Sequence, residues 1–105
     1  MKKVVILCQT GPGGKRRLAE EALRLAAGLT ATGRISLDLV LTRSGIALLD
    51  PEMGGSVGTW ESMISPHTRI LISAGALNSP PSFVTVLPEK EIEKASASAD
   101  LVIGF

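Results

Sequence analysis

Short aliphatic runs recur along this chain, and each is separated from the next by enough residues for a helix or a long turn. The first run, VVILC, ends a stretch (3–8) with the composition of a strand that is covered on both faces of a sheet. Further runs occupy 35–42, 69–75, 83–87 and 101–105. Parallel strands need a crossover between them, because the chain must return to the edge where the previous strand began. The spacing therefore predicts an open parallel sheet with helices on both faces.

Two of the intervening segments have the period of an amphipathic helix. The first follows the turn QTGPGG (9–14), and Gly33 is placed to end it in a left-handed cap. Its predicted apolar stripe consists of Leu18, Ala22, Leu25, Ala26 and Leu29. The second helix is predicted to start with Pro88 as its first residue and to face inward with Ile92, Ala95 and Ala99. Between them, 44–50 predicts a short helix, 51–58 a flexible loop and 59–64 one or two helical turns.

Composition limits the functions that such a chain performs. With 105 residues, of which 45% are hydrophobic and 20% charged, it is predicted to form a single domain over 1–105. A net charge of +1 and an aromatic content of 3% do not suit a nucleic-acid binder. One cysteine and one histidine exclude an internal disulfide and argue against a metal site, and we expect no cofactor. The first apolar run is too short for a signal peptide or a membrane span, so we expect a cytoplasmic protein.

Ligands of open parallel sheets bind beyond the carboxyl ends of the strands. Three loops lie there in the predicted fold: 9–14, 43–45 and 74–79. The rim residues of the second and third loops are Ser44, Gly45, Gly75 and Asn78. These loops are the expected working edge of the protein.

The glycine-rich turn of the first loop does not match the common phosphate-binding motifs. A P-loop requires a glycine where Gln9 stands and a hydroxyl residue where Arg16 stands, and GxGxxG requires a glycine at Arg16. A weaker alternative is that free amides at the helix start bind an anion. Its residues are Gly11, Gly13, Gly14 and Lys15. We favour a simple bend, in which the neighbouring cations are balanced inside the helix by side-chain pairs of Glu20, Glu21 and Arg24.

Cys8 has two interpretations. It ends the first strand beside a helix N-terminus, a setting that lowers the pKa of a thiol and favours a reactive thiolate. Unpaired cysteine is also among the most buried residue types, and Cys8 completes an apolar run. We favour burial and keep the reactive thiolate as the alternative. His67 has no carboxylate or thiol near it in the sequence and is predicted to lie on the surface.

The order of these segments resembles the DsrE/DsrF-like proteins, which include TusD-like and YchN-like members. The resemblance is carried by KKVVILCQTGPGG, AEEALRLAAGLTATG, SLDLVLTRSGIALL, RILISAGAL and LPEKEIEKASASADLVIGF. It implies a three-layer α/β/α sandwich with a mostly parallel five-stranded sheet, and assembly into dimers, trimers or hexamers, sometimes with related subunits. It also implies a sulfur relay, in which a cysteine after the third strand accepts persulfide sulfur. That position falls at or next to Ala74 here, so the sulfur-accepting thiol is missing.

Three functions from different classes are compatible with these residues. The first, which we favour, is a non-catalytic, homo-oligomeric or accessory subunit related to sulfur-relay proteins. The second is a sulfur carrier or transferase that uses Cys8. The third is a binder of a small anion or a nucleotide at the turn 11–15. None of them requires nucleic acid or a membrane as a partner.

Overall fold

The sheet of the computed structural model has five strands, and each pair of neighbouring strands runs parallel. The structure describes residues 1–50, 60, 63 and 65–105. The strands are β1 (Lys2–Cys8), β2 (Ile35–Leu41), β3 (Thr68–Ser73), β4 (Val84–Leu87) and β5 (Leu101–Gly104). Their order across the sheet is β4-β3-β2-β1-β5. Each strand begins and ends close to the limits of its predicted run.

Successive strands from β1 to β4 are neighbours, and the described parts of the segments that join them pack on one face of the sheet. That face, the α1 face, carries α1 (Leu18–Thr32), a 3₁₀ helix (Arg43–Leu49) and the buried side chains of Trp60 and Met63. The chain then leaves β4, crosses the opposite face as α2 (Glu89–Ala97) and returns as β5 beside β1. We name this second face the α2 face. Helices on both faces of a parallel sheet make a three-layer α/β/α sandwich, as predicted.

The larger core lies on the α1 face. Every second residue of the three central strands contributes to it, because side chains alternate between the faces of a sheet. From the strands these residues are Val4, Ile6, Cys8, Leu37, Leu39, Leu41, Ile70 and Ile72. The buried residues of α1 are Ala19, Ala22, Leu23, Ala26 and Thr30. The predicted stripe was therefore partly wrong: it includes the buried Ala22 and Ala26 but lacks Ala19 and Leu23, and its leucines Leu18, Leu25 and Leu29 are half-buried beside the contact.

A smaller core lies on the α2 face. It consists of Val5, Val40, Leu71 and Ile92, with Leu7, Leu87 and Ala99 packed against it. Ile92 is the buried residue of α2, and Ala95 is half-buried. Pro88 is the N-cap of α2 and not its first helical residue, because its ψ of 146° lies outside the helical region. The two layers are thus unequal, and a helix of nine residues covers the α2 face.

The turns after α1 and β2 follow the sequence predictions. Gly33 is left-handed (φ 66°), and its N–H donates to the Thr30 carbonyl. The short helix predicted at 44–50 is present in 3₁₀ geometry. The predicted loop 51–58 and most of the predicted turn 59–64 lie outside the described residues. Trp60 is buried, and its ring stacks on Phe83 with the centroids 5.3 Å apart. In the described ranges, no helix combines the length and apolarity needed to cross a membrane.

Candidate functional site

The ends of β1 and β2 meet at the carboxyl edge of the sheet. The Thr42 N–H donates to the Cys8 carbonyl oxygen at 3.0 Å, and the Gly45 N–H donates to the Thr42 carbonyl at 2.9 Å. A Cβ atom at Gly45 would overlap the Cys8 carbonyl oxygen, so glycine is required there. Gly11 approaches Ser44 less closely. The first two predicted loops are therefore in contact through Cys8, Gly11, Ser44 and Gly45.

Cys8 is fully buried beneath this contact. Its Sγ donates a weak hydrogen bond to the Thr10 carbonyl oxygen at 3.5 Å. Burial raises the pKa of the Cys8 thiol, and hydrogen bonding to Thr10 opposes the rise without cancelling it. The thiol is therefore neutral at physiological pH, and its predicted burial is confirmed. Because the chain has one cysteine, it presents no exposed thiol.

A carboxylate of the chain itself occupies the glycine-rich turn. The Gly13 N–H donates to Glu20 Oε1 at 2.7 Å, and this bond is the main reason that the pKa of Glu20 lies below its ordinary value. The Arg17 guanidinium lies 3.6 Å from the same carboxylate. Arg24 pairs with Glu21 at 3.5 Å. The expected balance of the neighbouring cations is therefore met in part, by the pair of Arg17 with Glu20, and the Gly13 amide that an external anion would need already has an acceptor.

The end of this turn, residues 13–15, faces solvent. Gly13 and Gly14 both have a φ of 84°, in the left-handed region that glycine tolerates. Lys15 is exposed, and in the described part of the chain it forms no ion pair. α1 begins after Arg17, which is left-handed (φ 50°) and gives the helix no side-chain cap. The helix start therefore depends on Glu20 for its charge compensation.

The loop that follows β3 is exposed. The Ala74 N–H donates to the Leu87 carbonyl of the neighbouring strand at 2.9 Å, and Ala74 itself is open to solvent. Gly75 turns the chain with a φ of 86°, and Asn78 is exposed further along. Within the described residues, no hydrogen bond joins this loop to Cys8 or to the glycine-rich turn. The third predicted loop thus lies at the same edge of the sheet without sharing a site with Cys8.

A cavity of about 520 Å³ lies beside these strand ends, on the α2 face. Its apolar lining consists of Leu7, Val40, Ile46 and Ile92. Its polar lining consists of Gln9, Thr42, Arg43, Ser73, Glu89, Glu93 and Ser96. The sequence analysis predicted this edge of the sheet but missed the contribution of α2. The available signal was the helical spacing of positions 89, 92, 93 and 96, which places them on one side of α2.

Arg43 is exposed and lines this cavity from a strained turn. Its backbone is left-handed (φ 52°), which costs a residue with a side chain roughly 1–2 kcal/mol. The turn carries the chain from β2 directly into the 3₁₀ helix. In the described part of the chain, no ion pair joins Arg43 to Glu89 or Glu93. The three charged side chains of the cavity are therefore not neutralised by direct contact with one another.

A buried ion cluster on the α2 face was also missed by the sequence analysis. Asp38 is 1% exposed, and its carboxylate accepts hydrogen bonds from Arg69 Nε (2.9 Å) and Nη2 (2.8 Å) and lies 2.8 Å from Lys3 Nζ. Burial alone would raise the pKa of Asp38, but the bonds and charges of Arg69 and Lys3 outweigh it and hold the pKa below its ordinary value. The available signal was an aspartate inside the apolar run ISLDLVL, since aspartate is seldom buried without a partner.

Two further predictions concern the exposure of His67 and the possibility of a metal site. His67 is exposed, as predicted. Across the described ranges, no three histidine, cysteine, aspartate or glutamate side chains are grouped to hold a metal ion.

Comparisons with known proteins bear on the fold. No protein-family model matches the sequence, and no curated protein matches it. Among solved structures, the crystal structure of the YchN protein from E. coli superposes with a TM-score of 0.76 at 20% sequence identity, covering 100% of each chain. Identity at this level shows a common fold and not a common activity. The chain therefore has a YchN-like fold, which is the architecture that its resemblance to the DsrE/DsrF-like proteins implied.

Proposed function

We propose that this protein is a non-catalytic, self-assembling subunit related to sulfur-relay proteins. The observation that carries the proposal is the burial of Cys8, the single cysteine of the chain. A thiol accepts sulfur as its thiolate, and it must be reached by the donor. Cys8 meets neither requirement, because it is fully buried and its pKa is raised.

The loop after β3 supports the same proposal. The resemblance places the sulfur-accepting residue at or next to Ala74, and this position is exposed. Alanine has no nucleophilic atom, and the hydroxyl of the adjacent Ser73 cannot carry a persulfide. The loop is therefore accessible to a partner but has no chemistry of its own for sulfur transfer.

Self-assembly is supported by the open edge at β5. This strand pairs with β1 on one side only, and it has no charged residue and no proline to protect the other side. Leu101 is 52% exposed and Val102 is 47% exposed. A second copy that adds to this edge would bury both side chains, and the net charge of +1 opposes the approach only weakly.

The two alternative functions are less well supported. Sulfur transfer through Cys8 requires the contact between the ends of β1 and β2 to open. In that contact the Thr42 N–H donates to the Cys8 carbonyl oxygen, and the backbone of Gly45 packs closely against Cys8. Anion binding at the glycine-rich turn requires Glu20 to release the Gly13 N–H. Both would act against interactions that stabilise the fold.

Thiol chemistry tests the non-catalytic assignment. The native protein is treated with a chromogenic disulfide reagent and with inorganic polysulfide, and sulfur addition is followed by intact-mass spectrometry. We expect no reaction of native wild type and complete reaction in urea. The matched variant Ala74→Cys, combined with Cys8→Ala, should react at once, because residue 74 is exposed. Sulfur addition to native wild type as fast as to this variant would overturn the proposal.

Light scattering over a range of concentrations tests self-assembly. We expect wild type to associate and Leu101→Lys to shift the equilibrium toward the monomer, because a lysine on an edge strand opposes pairing. Val86→Lys is the matched control, since Val86 is 41% exposed on β4 at the opposite edge of the sheet. A strict monomer, or equal weakening by the two variants, would contradict the assignment of the β5 edge.

A further inference from the structure

The cavity between α2 and the ends of β1, β2 and β3 has the features of a ligand site that is independent of thiol chemistry. We propose that it binds a small zwitterion of about dipeptide size. The ammonium group of the ligand lies at Glu89 and Glu93, and its carboxylate lies at Arg43. The inference goes beyond the proposed function, because it concerns neither sulfur transfer nor the β5 edge.

The first argument is the position of the cavity in the topology. After β1, β2 and β3 the chain turns toward the α1 face, whereas after β4 it turns toward the α2 face. Where neighbouring strands send their connections to opposite faces, a crevice opens beyond the carboxyl ends of the strands. β3 and β4 are such a pair: Ser73, the last residue of β3, and Glu89, at the start of the helix that follows β4, both line the cavity, which extends from there to the ends of β2 and β1.

The second argument is the composition and size of the lining. Ligand pockets are mostly apolar, with a few polar groups that orient the ligand, and they measure roughly 300–1,000 Å³. Here an aliphatic surface from Leu7, Val40 and Ile46 is combined with hydroxyl and amide groups, and the cavity measures about 520 Å³. This volume accommodates a dipeptide with an aliphatic side chain.

The third argument is the arrangement of charge. Glu89 and Glu93 are four residues apart on α2, so their carboxylates repel each other on one side of the helix. The nearby Lys94 pairs instead with Glu91, at 3.5 Å. Arg43 adds a positive charge to the same lining. A ligand with separated positive and negative groups matches this pattern, whereas a simple anion meets two carboxylates and one guanidinium.

An NMR titration of the ¹⁵N-labelled protein with L-alanyl-L-leucine tests the proposal. We expect saturable amide shifts centred on Gln9, Thr42, Ser73 and the first two turns of α2. Acetyl-alanyl-leucine lacks the ammonium group and alanyl-leucine amide lacks the carboxylate, so each should bind about tenfold more weakly. No saturable shift at the lining residues, or equal binding of the dipeptide and its acetylated form, would refute the proposal.

Charge variants separate direct contact from the general field of the protein. Glu93→Gln and Arg43→Gln should each weaken dipeptide binding about tenfold. Glu91→Gln is the matched control: it removes the same charge from α2 at a position outside the lining, so binding should stay within twofold. Equal weakening by Glu91→Gln and Glu93→Gln would show a long-range effect and overturn the assignment. The lining contains no residue of β5, so the dipeptide titration and the self-assembly test are followed at different residues and with different variants.

Discussion

Replacing Arg69 by methionine removes one side of the buried ion cluster and keeps the aliphatic length of the side chain. Arg69 donates two charge-assisted hydrogen bonds to Asp38, which is 1% exposed. Complete loss of the partners of a buried charge costs about 3–5 kcal/mol. Here Lys3 Nζ remains 2.8 Å from the carboxylate, and Arg69 is itself 44% exposed, so part of the interaction is screened by solvent. We therefore expect the free energy of unfolding to fall by about 2 kcal/mol at pH 7.

The pH dependence of this loss follows from the lowered pKa of Asp38. A carboxyl group whose pKa is lower in the folded state stabilises the fold above its unfolded pKa, about 3.9 for aspartate. That stabilisation is lost as the pH falls through the folded pKa. In Arg69→Met the pKa of Asp38 is lowered less than in wild type. Acidification therefore removes less stabilising free energy from the variant than from wild type. The difference between wild type and variant should therefore be constant from pH 6 to pH 8 and shrink below about pH 4.

Urea unfolding followed by circular dichroism at several pH values measures both effects. Lys94→Met is the matched control, because Lys94 belongs to an ion pair on the surface of α2 and its loss should leave stability unchanged. The reasoning would be refuted by an Arg69→Met variant as stable as this control at pH 7. A stability difference that does not shrink on acidification would equally contradict the assignment to an ionised Asp38.

Three further predictions use the carboxyl edge of the sheet. Alkylation of Cys8 should accelerate with urea in parallel with unfolding, because the buried thiol reacts only in opened molecules; a rate independent of urea would argue for an exposed thiol. Gly45→Ala should lower the free energy of unfolding by about 3 kcal/mol, because the added Cβ overlaps with the Cys8 carbonyl. Gly28→Ala is the contrast in the same urea assay: Gly28 lies within α1 without close neighbours, and alanine there should raise the free energy of unfolding by about 0.5–1 kcal/mol. Glu20→Ala should cost about 1 kcal/mol at pH 7 because the Gly13 N–H loses its acceptor, and an unchanged stability would show that solvent replaces the carboxylate.

The elements of the fold were predictable because each is encoded locally. The runs 3–8 and 35–42 are recognisable as strands from their aliphatic residues alone. Gly33 ends α1 through its own left-handed backbone, which does not depend on what the helix packs against. The burial of Cys8 also followed from its place at the end of an apolar run. The face of α1 was harder to predict, because alanines and leucines together make a broad apolar surface. The sheet, and not the helix, selects which part of that surface it contacts.

The cavity and the ion cluster depend on strand order, which the sequence does not reveal locally. Asp38 and Arg69 become neighbours because β2 pairs with β3 in a register that aligns them. Arg43 and Glu93 line one cavity because α2 passes over the sheet on its way from β4 to β5. The sequence pattern of a single strand or helix therefore predicted neither the cavity nor the ion cluster. Two signals were nevertheless present: an aspartate inside an apolar run, and the helical spacing of the lining residues of α2.

α2 buries fewer side chains than α1 does. α2 buries Ile92 alone, and the short strand β5 is anchored to β1, with the Lys3 N–H also bound by the Asp100 carboxylate at 2.7 Å. We expect α2 and β5 to detach together more readily than the central strands separate, although Ile103 and Phe105 also pack against the core on the α1 face. Detachment removes one wall of the cavity, so any molecule held there binds the attached form alone. Occupancy at one end of α2 would thus slow hydrogen exchange in β5, a strand that the bound molecule never touches.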